Sequence, residues 1–409
     1  MLRRVVTFSV VLTAAASVAA CGSNQSQPDA PSSSAAGTTT TTTKAPPPIV
    51  APAQLQPGKY PTEPRPAPGE AGDATAGAIV DAHRLAGYVV GPWQVDSTLL
   101  QPITALTPYL VLDQAQALGQ LGPESIAEAA GRHKFINGFS STRQSTDKRV
   151  LVNAVLQFAT ADEANQAAAE MNNAATSTPI KGGTPKPVAI NGHSEALASA
   201  YEVESGGQRR TSIRSFTPNG PLVLMQLAQG PAGSDQIGET VTKAIDAQLT
   251  KLKGFKPVDP AALAAIPVDP SGLLAKTLFA DSAATTKNAV YTPEAALHFQ
   301  MDPSASAKTF QDNGVTDIAM GLTNVFQTKD PWAAVDVVDT FAKESGADAN
   351  PADAVPGLSL SKCASVSDGK QFYCVAPAGN YAIEAHAANL QDVHEQVAAQ
   401  YILLTAGKS

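Results

Sequence analysis

Val150-Leu-Val-Asn-Ala-Val-Leu-Gln-Phe158, followed by Thr160-Ala-Asp-Glu163, reads as a strand running into a helix. The first segment is apolar and β-branched. The second is a capping box, in which the Thr160 hydroxyl and the Glu163 carboxyl satisfy free amides at a helix start. Much further along, Gly321-Leu-Thr-Asn-Val-Phe326 and Thr328-Lys-Asp-Pro331 repeat the same order of signals. The helix beyond is expected to place Trp332, Val335 and Val338 on one face.

Working outward, the two stretches stay in step. Ile190-Asn-Gly192 and Val355-Pro-Gly357 read as matching turns. A hairpin about Gly206-Gly207, within Ala200 to Ile213, matches one about Asp368-Gly369. Pro221 to Leu227 and Asn380 to Ala385 each supply a further strand. The closing helices share a spacing: Val241, Ile245, Leu249 and Leu252 against Val393, Val397, Tyr401 and Leu404, with Asp235 and Asp392 as expected N-caps. Upstream, Ala105-Leu-Thr-Pro108 echoes Val290-Tyr-Thr-Pro293. The fold class expected is α+β, in two similar domains. Each has a lead helix and then β-α-β-β-β-α, a small antiparallel sheet packed on helices. The bounds are 58–255 and 276–409. A link over 256–275 is stiffened by two Asp-Pro steps and laid on a surface by Leu263 and Ile266.

The second hairpin carries two of the three cysteines. Folding about Asp368-Gly369 sets Val366 opposite Gln371 and Cys363 opposite Cys374. Facing residues have Cα atoms about 4.5–5.5 Å apart, within reach of a disulfide. A two-residue loop makes 363/374 a hydrogen-bonded pair. A four-residue loop over 367–370 makes it the closer, non-hydrogen-bonded pair, and that reading is preferred. Such a bridge implies an oxidising compartment. Tyr201 and Ser212 are expected in the corresponding places of the first domain.

Cys21 follows two arginines, an apolar run from Val5 to Val18, and Val18-Ala19-Ala20. This resembles a bacterial lipoprotein signal, residues 1–20, and the resemblance implies that Cys21 is lipidated. Residues 21–57 hold Ser32 to Ser34, the threonines from Thr38 to Thr43, and Pro46 to Pro48. They read as a disordered tether spanning roughly 35 Å. Of 28 basic residues, Arg3 and Arg4 leave with the signal, so 26 remain against 36 acidic, a net of −10. That balance argues against nucleic acid and against charge-based binding to anionic lipid. Acyl chains on Cys21 are therefore the expected membrane attachment.

Tyr60-Pro-Thr-Glu-Pro-Arg-Pro66, Ala71-Gly72, Arg84-Leu-Ala-Gly-Tyr-Val-Val-Gly-Pro-Trp93 and Val95-Asp96 resemble a family of actinobacterial two-domain lipoproteins without an assigned activity. The resemblance covers residues 58–409. It implies an outward-facing location in a mycolic-acid-type envelope and transfers no catalytic residues.

No strong catalytic motif stands in the chain: no G-x-S-x-G, H-E-x-x-H, C-x-x-C or phosphate-cradling loop. No metal or cofactor is expected. Asn191-Gly-His-Ser194 offers a Ser/His pair on a turn but no third partner. Arg132-His-Lys134 and Gln208-Arg-Arg210 are small basic clusters, read mainly as solvated charge. His394 is read as part of a solvated helix face. The candidate ligand contacts are Tyr88, Trp93, Arg132 and His133. Tyr60 to Pro66 is expected to pack along its own domain. The function expected is a non-enzymatic envelope lipoprotein binding a lipid, glycan or other small amphiphile in a cleft within or between the halves. The alternatives are a scaffold for an envelope protein complex and an envelope hydrolase using His193 or His133.

Overall fold

The computed structural model describes residues 45–103, 108–180, 183–205, 207–231, 233, 235–344, 349–366 and 368–406. The leader, Cys21, most of the tether and residues 105–107 lie outside them, as do Gly206 and Ser367. From Pro46 onward the chain forms one compact unit. Among the described residues no helix is long and apolar enough to cross a membrane.

The first half contains α1 (Ala74–Ala86), α2 (Pro92–Val95), β1 (Tyr109–Leu112), α3 (Glu124–Gly131), β2 (Phe135–Gln144), β3 (Val150–Phe158), α4 (Ala161–Ser177), β4 (Lys186–Pro187), β5 (Leu197–Ser205), β6 (Gln208–Asn219), β7 (Leu222–Pro231) and α5 (Gln236–Leu252). The second contains β8 (Ala289–Tyr291), α6 (Pro293–Ala296), α7 (Pro303–Asp312), β9 (Ile318–Met320), β10 (Asn324–Gln327), α8 (Pro331–Glu344), β11 (Asn350–Ala352), β12 (Lys362–Val366), β13 (Gln371–Ala378), β14 (Tyr381–Ala387) and α9 (Leu390–Thr405). Each half builds a seven-stranded antiparallel sheet. The orders are β1-β2-β3-β7-β6-β5-β4 and β8-β9-β10-β14-β13-β12-β11. Strand for strand the two connectivities coincide, so the chain carries one α+β plan twice.

The expected order lacked β1, β2 and β4 and their counterparts β8, β9 and β11. Most are two to four residues long, too short for a period-two pattern to stand out. β2 is long, but its Ser140, Ser141, Thr142 and Arg143 are buried polar residues that mask the alternation.

In the first half Val152, Ala154 and Leu156 of β3 face α3 and α4, while Leu151 and Val155 face α1 and α5. In the second, Val325, Ile383 and Ala385 face α9, and Phe326 and Val375 face α8. Thr160 caps α4 as expected, accepting from the Glu163 amide. Asp235 stands at the N-cap of α5, as expected, though without a side-chain cap bond. Two expectations on helices are corrected. α8 buries Ala333, Ala334, Val337, Val338 and Phe341, so Trp332 and Val335 sit at the margin of its apolar face. The cap of α9 is Asn389, which accepts from the Asp392 amide.

Asp392 instead accepts a hydrogen bond from Tyr60 Oη at 2.6 Å, and this overturns the expected course of the N-terminal arm. The Val50 amide donates to Tyr401 Oη, Leu55 is buried in the core around α9, and the Arg65 guanidinium lies 4.3 Å over the Phe279 ring. The arm thus runs along the second half, away from the domain that follows it in sequence, and it includes Val50 and Leu55, which the expected disordered tether over 21–57 had claimed. The reason lies in α9, which is buried from Gln396 to Thr405 on every side. A helix apolar all round needs cover on its outer face as well as its inner one. In the link, Leu263 is buried, and the Ile266 carbonyl accepts from the Ala71 amide.

The halves share a core. His298, fully buried, hydrogen-bonds Ser141 Oγ at 2.9 Å through Nδ1 and the Ala86 carbonyl at 3.1 Å through Nε2. Arg143 donates to the carbonyls of His298 and Gln300, and His83 Nε2 donates to the Thr285 carbonyl at 2.6 Å. One cluster of buried side chains runs from Leu85 and Phe139 to Tyr291 and Phe326.

The cysteine hairpin forms in the expected register. Val366 pairs with Gln371 and Cys363 with Cys374, the two joined as a disulfide with Cα atoms 4.2 Å apart. Asp368 and Gly369 both have positive φ. Tyr201 and Ser212 do pair, but their side of the sheet faces α4. Cys374 is buried on the side facing α9, so the first half has no equivalent of the bridge at those positions.

Candidate functional site

β14 reads Tyr-Ala-Ile-Glu-Ala-His-Ala, and strand geometry sends alternate side chains to opposite faces. Ile383 and Ala385 go into the α9 core. Glu384 and His386 go to the α8 face, where pairing sets Glu384 beside Asn324 and Val375, and His386 beside Tyr373. Over this face lies a cavity of about 650 Å³. Its walls are Phe326 of β10, Phe341 at the end of α8, Ile318 and Met320 of β9, and Phe299. Tyr109, from β1 of the first half, closes one side with its ring 4.4 Å from that of Phe299. Met301, 74% exposed, stands at the mouth.

The polar groups gather on the floor. Asn324 Nδ2 donates to Glu384 Oε2 at 2.8 Å, and Lys287 Nζ approaches Asn324 Oδ1 at 3.5 Å. His386 Nε2 lies 3.8 Å from Glu384 Oε1, and its ring is 4.7 Å from that of Tyr373. Burial works to raise the Glu384 pKa, but His386, Asn324 and Tyr373 together hold it below the usual carboxylate value. Tyr373 is pushed well up by burial and by the Glu384 charge. Burial lowers Lys287, with Glu384 partly opposing. Glu344, at the end of α8, is raised by burial and by the neighbouring charges of Asp302 and Glu384. An apolar chamber with a few converging polar groups is the usual form of a small-molecule site.

The residues singled out from sequence lie elsewhere and do not converge. Tyr88 packs on Phe255, rings 5.2 Å apart, and Trp93 is buried against His298 at 5.3 Å; both lie on the α1/α5 side of the first sheet. Arg132 and His133 follow α3 on the opposite side. Arg132 pairs with Glu170 at 2.8 Å, and His133 lies between Glu163 and Glu170 at 3.4 and 3.3 Å. His193 has Glu195 and Asp246 at 3.1 Å on its two ring nitrogens, leaving neither for a serine. Arg209 pairs with Glu202, while Arg210 is buried and donates to the Lys148 carbonyl. His394 is half-buried and Nε2 donates to the Asp353 carbonyl. It lies within 4.8 Å of the cysteine sulfurs, but these are bonded to each other, so the trio offers no thiolate to a metal.

A family described in two parts, N-terminal and C-terminal, matches the chain. Residues 68–268 match the model of the N-terminal part of a domain of unknown function (DUF7373), and residues 273–407 match that of its C-terminal part. The chain belongs to this family. The DUF7373 boundary falls at 268–273, inside the link, and the cavity belongs mainly to the C-terminal part, with Tyr109 contributed by the N-terminal one. No curated protein matches the chain. Among solved structures it is similar to the extracellular domain of PknH from Mycobacterium tuberculosis, at 17% identity and a TM-score of 0.29, over 41% of this chain and 96% of that one.

The signal for the site was present in Tyr381 to Ala387. A glutamate and a histidine two apart in an otherwise apolar strand share one face. What the sequence does not give is whether a helix covers that face.

Proposed function

We propose that the chain is a lipid-anchored envelope protein of actinobacterial type, fixed through Cys21, that holds a small amphiphile in the cavity beneath Met301 without transforming it. The observation that carries the reading is the chamber itself: aromatic and aliphatic walls around a floor of Asn324, Glu384 and His386. That division suits a ligand with an apolar body and a polar end. The lipobox around Cys21 and the Thr/Pro-rich stretch after it support attachment through acyl chains and a spacer. Full-length protein released gently from native membranes and examined by native mass spectrometry should carry a bound lipid or glycolipid. A Met320→Trp variant, which fills the chamber, should carry less. Wild-type protein that is repeatedly empty would refute the reading.

A further inference from the structure

The chamber's charges are unequal. Among the described residues lining it, Lys287 is the one ammonium or guanidinium group, and it is already turned to Asn324 Oδ1. Against it stand Glu384 on the floor and Glu344 on the wall, with Asp302 close enough to Glu344 to act on its charge. Glu384 has Asn324 and His386 as partners. Glu344 lies beside the Phe341 wall, at the C-terminal end of α8. Phe299, Phe326, Phe341, Tyr109 and Tyr373 line the same chamber as these carboxylates. Ring faces attract cations, and most strongly where water is excluded.

We infer that the amphiphile taken here has a cationic head, an alkylamine or quaternary ammonium group, seated between Glu344 and the aromatic walls with its apolar part along Ile318 and Met320. This rests on the amphiphile reading and narrows it. An anionic head would face two carboxylates for one engaged lysine, and a neutral head would leave Glu344 without a counter-charge. Asp302 ahead of α7 and Glu384 on β14 act on the Glu344 charge, and His386 on β14, Tyr373 on β13, Lys287 ahead of β8 and Tyr109 on β1 line the same chamber. Asp302 also caps α7, accepting from the Ser304 and Ala305 amides. Burial and the charges of Asp302 and Glu384 raise the Glu344 pKa, so affinity for a cation falls as the solution is acidified.

The test uses three probes with the same tail, decyltrimethylammonium, decanol and decanoate, titrated calorimetrically below their micelle concentrations into the full chain. Decyltrimethylammonium should bind about tenfold tighter than decanol, and decanoate more weakly than either. Glu344→Gln should remove most of that preference, read as the ratio of the decyltrimethylammonium and decanol affinities within the variant. Equal affinity for cation and alcohol, tighter binding of decanoate, or a preference that survives Glu344→Gln overturns the cationic head and leaves the amphiphile reading standing. No binding of any probe overturns both.

Discussion

His298 shows how one residue ties the two halves together. The Ala86 carbonyl can only accept, so Nε2 carries the proton and Nδ1 accepts from the Ser141 hydroxyl. Both nitrogens are then satisfied by the neutral ring. Burial lowers its pKa to about 3, with Lys251 contributing, and burial lowers that of His83 to about 4. In the unfolded chain both titrate near 6.5. Between that value and the folded ones the unfolded state binds more protons, so stability is complete above pH 6.5 and falls as pH drops through the window. Each histidine contributes a loss of about 1.4 kcal/mol per pH unit. His298→Gln should therefore flatten the dependence of unfolding free energy on pH between about 6 and 4, measured by urea titration, even though it lowers stability at neutral pH. An unchanged slope would show that His298 is not held neutral.

At the scale of elements, α1 and the link make the sharpest case. Gly77 lies inside α1, where alanine is ordinarily better by about 1 kcal/mol. A Cβ at Gly77 would stand 2.0 Å from the Leu263 carbonyl oxygen, a backbone atom that cannot rotate away. Gly77→Ala should thus destabilise by roughly 1–3 kcal/mol, the reverse of its helix-propensity sign, in a denaturant midpoint measurement. A stabilised variant would mean that the link sits more loosely on α1. The same scale explains the misplaced arm. Tyr60 to Pro66 has polyproline character, which says that it is extended but not which surface receives it. The receiving surface is α9, whose Val397-Ala-Ala-Gln-Tyr-Ile-Leu-Leu404 run is legible as a helix needing cover on all sides.

For the whole molecule, the shared core predicts cooperativity. Trp93 reports on the first half and Trp332 on the second, and they are the two tryptophans of the chain. Trp93→Phe and Trp332→Phe variants should give fluorescence unfolding curves whose midpoints each coincide with that variant's circular dichroism transition. Separate transitions for the two halves would mean that the His298 and Arg143 contacts do not couple them.

The local signals in the sequence determined the strand before α4, the paired turns, the closing helices, the hairpin register of Cys363 and Cys374, and the doubling of the plan. All follow from turn chemistry and periodicity within short windows, where neighbours in sequence are neighbours in space. The tertiary structure alone decided which half the arm covers, which face of each sheet receives which helix, and where Glu384, Tyr373 and Tyr109 meet. Those depend on packing between segments hundreds of residues apart. There the free energy comes from buried area and matched shape, for which the order of residues carries no local mark.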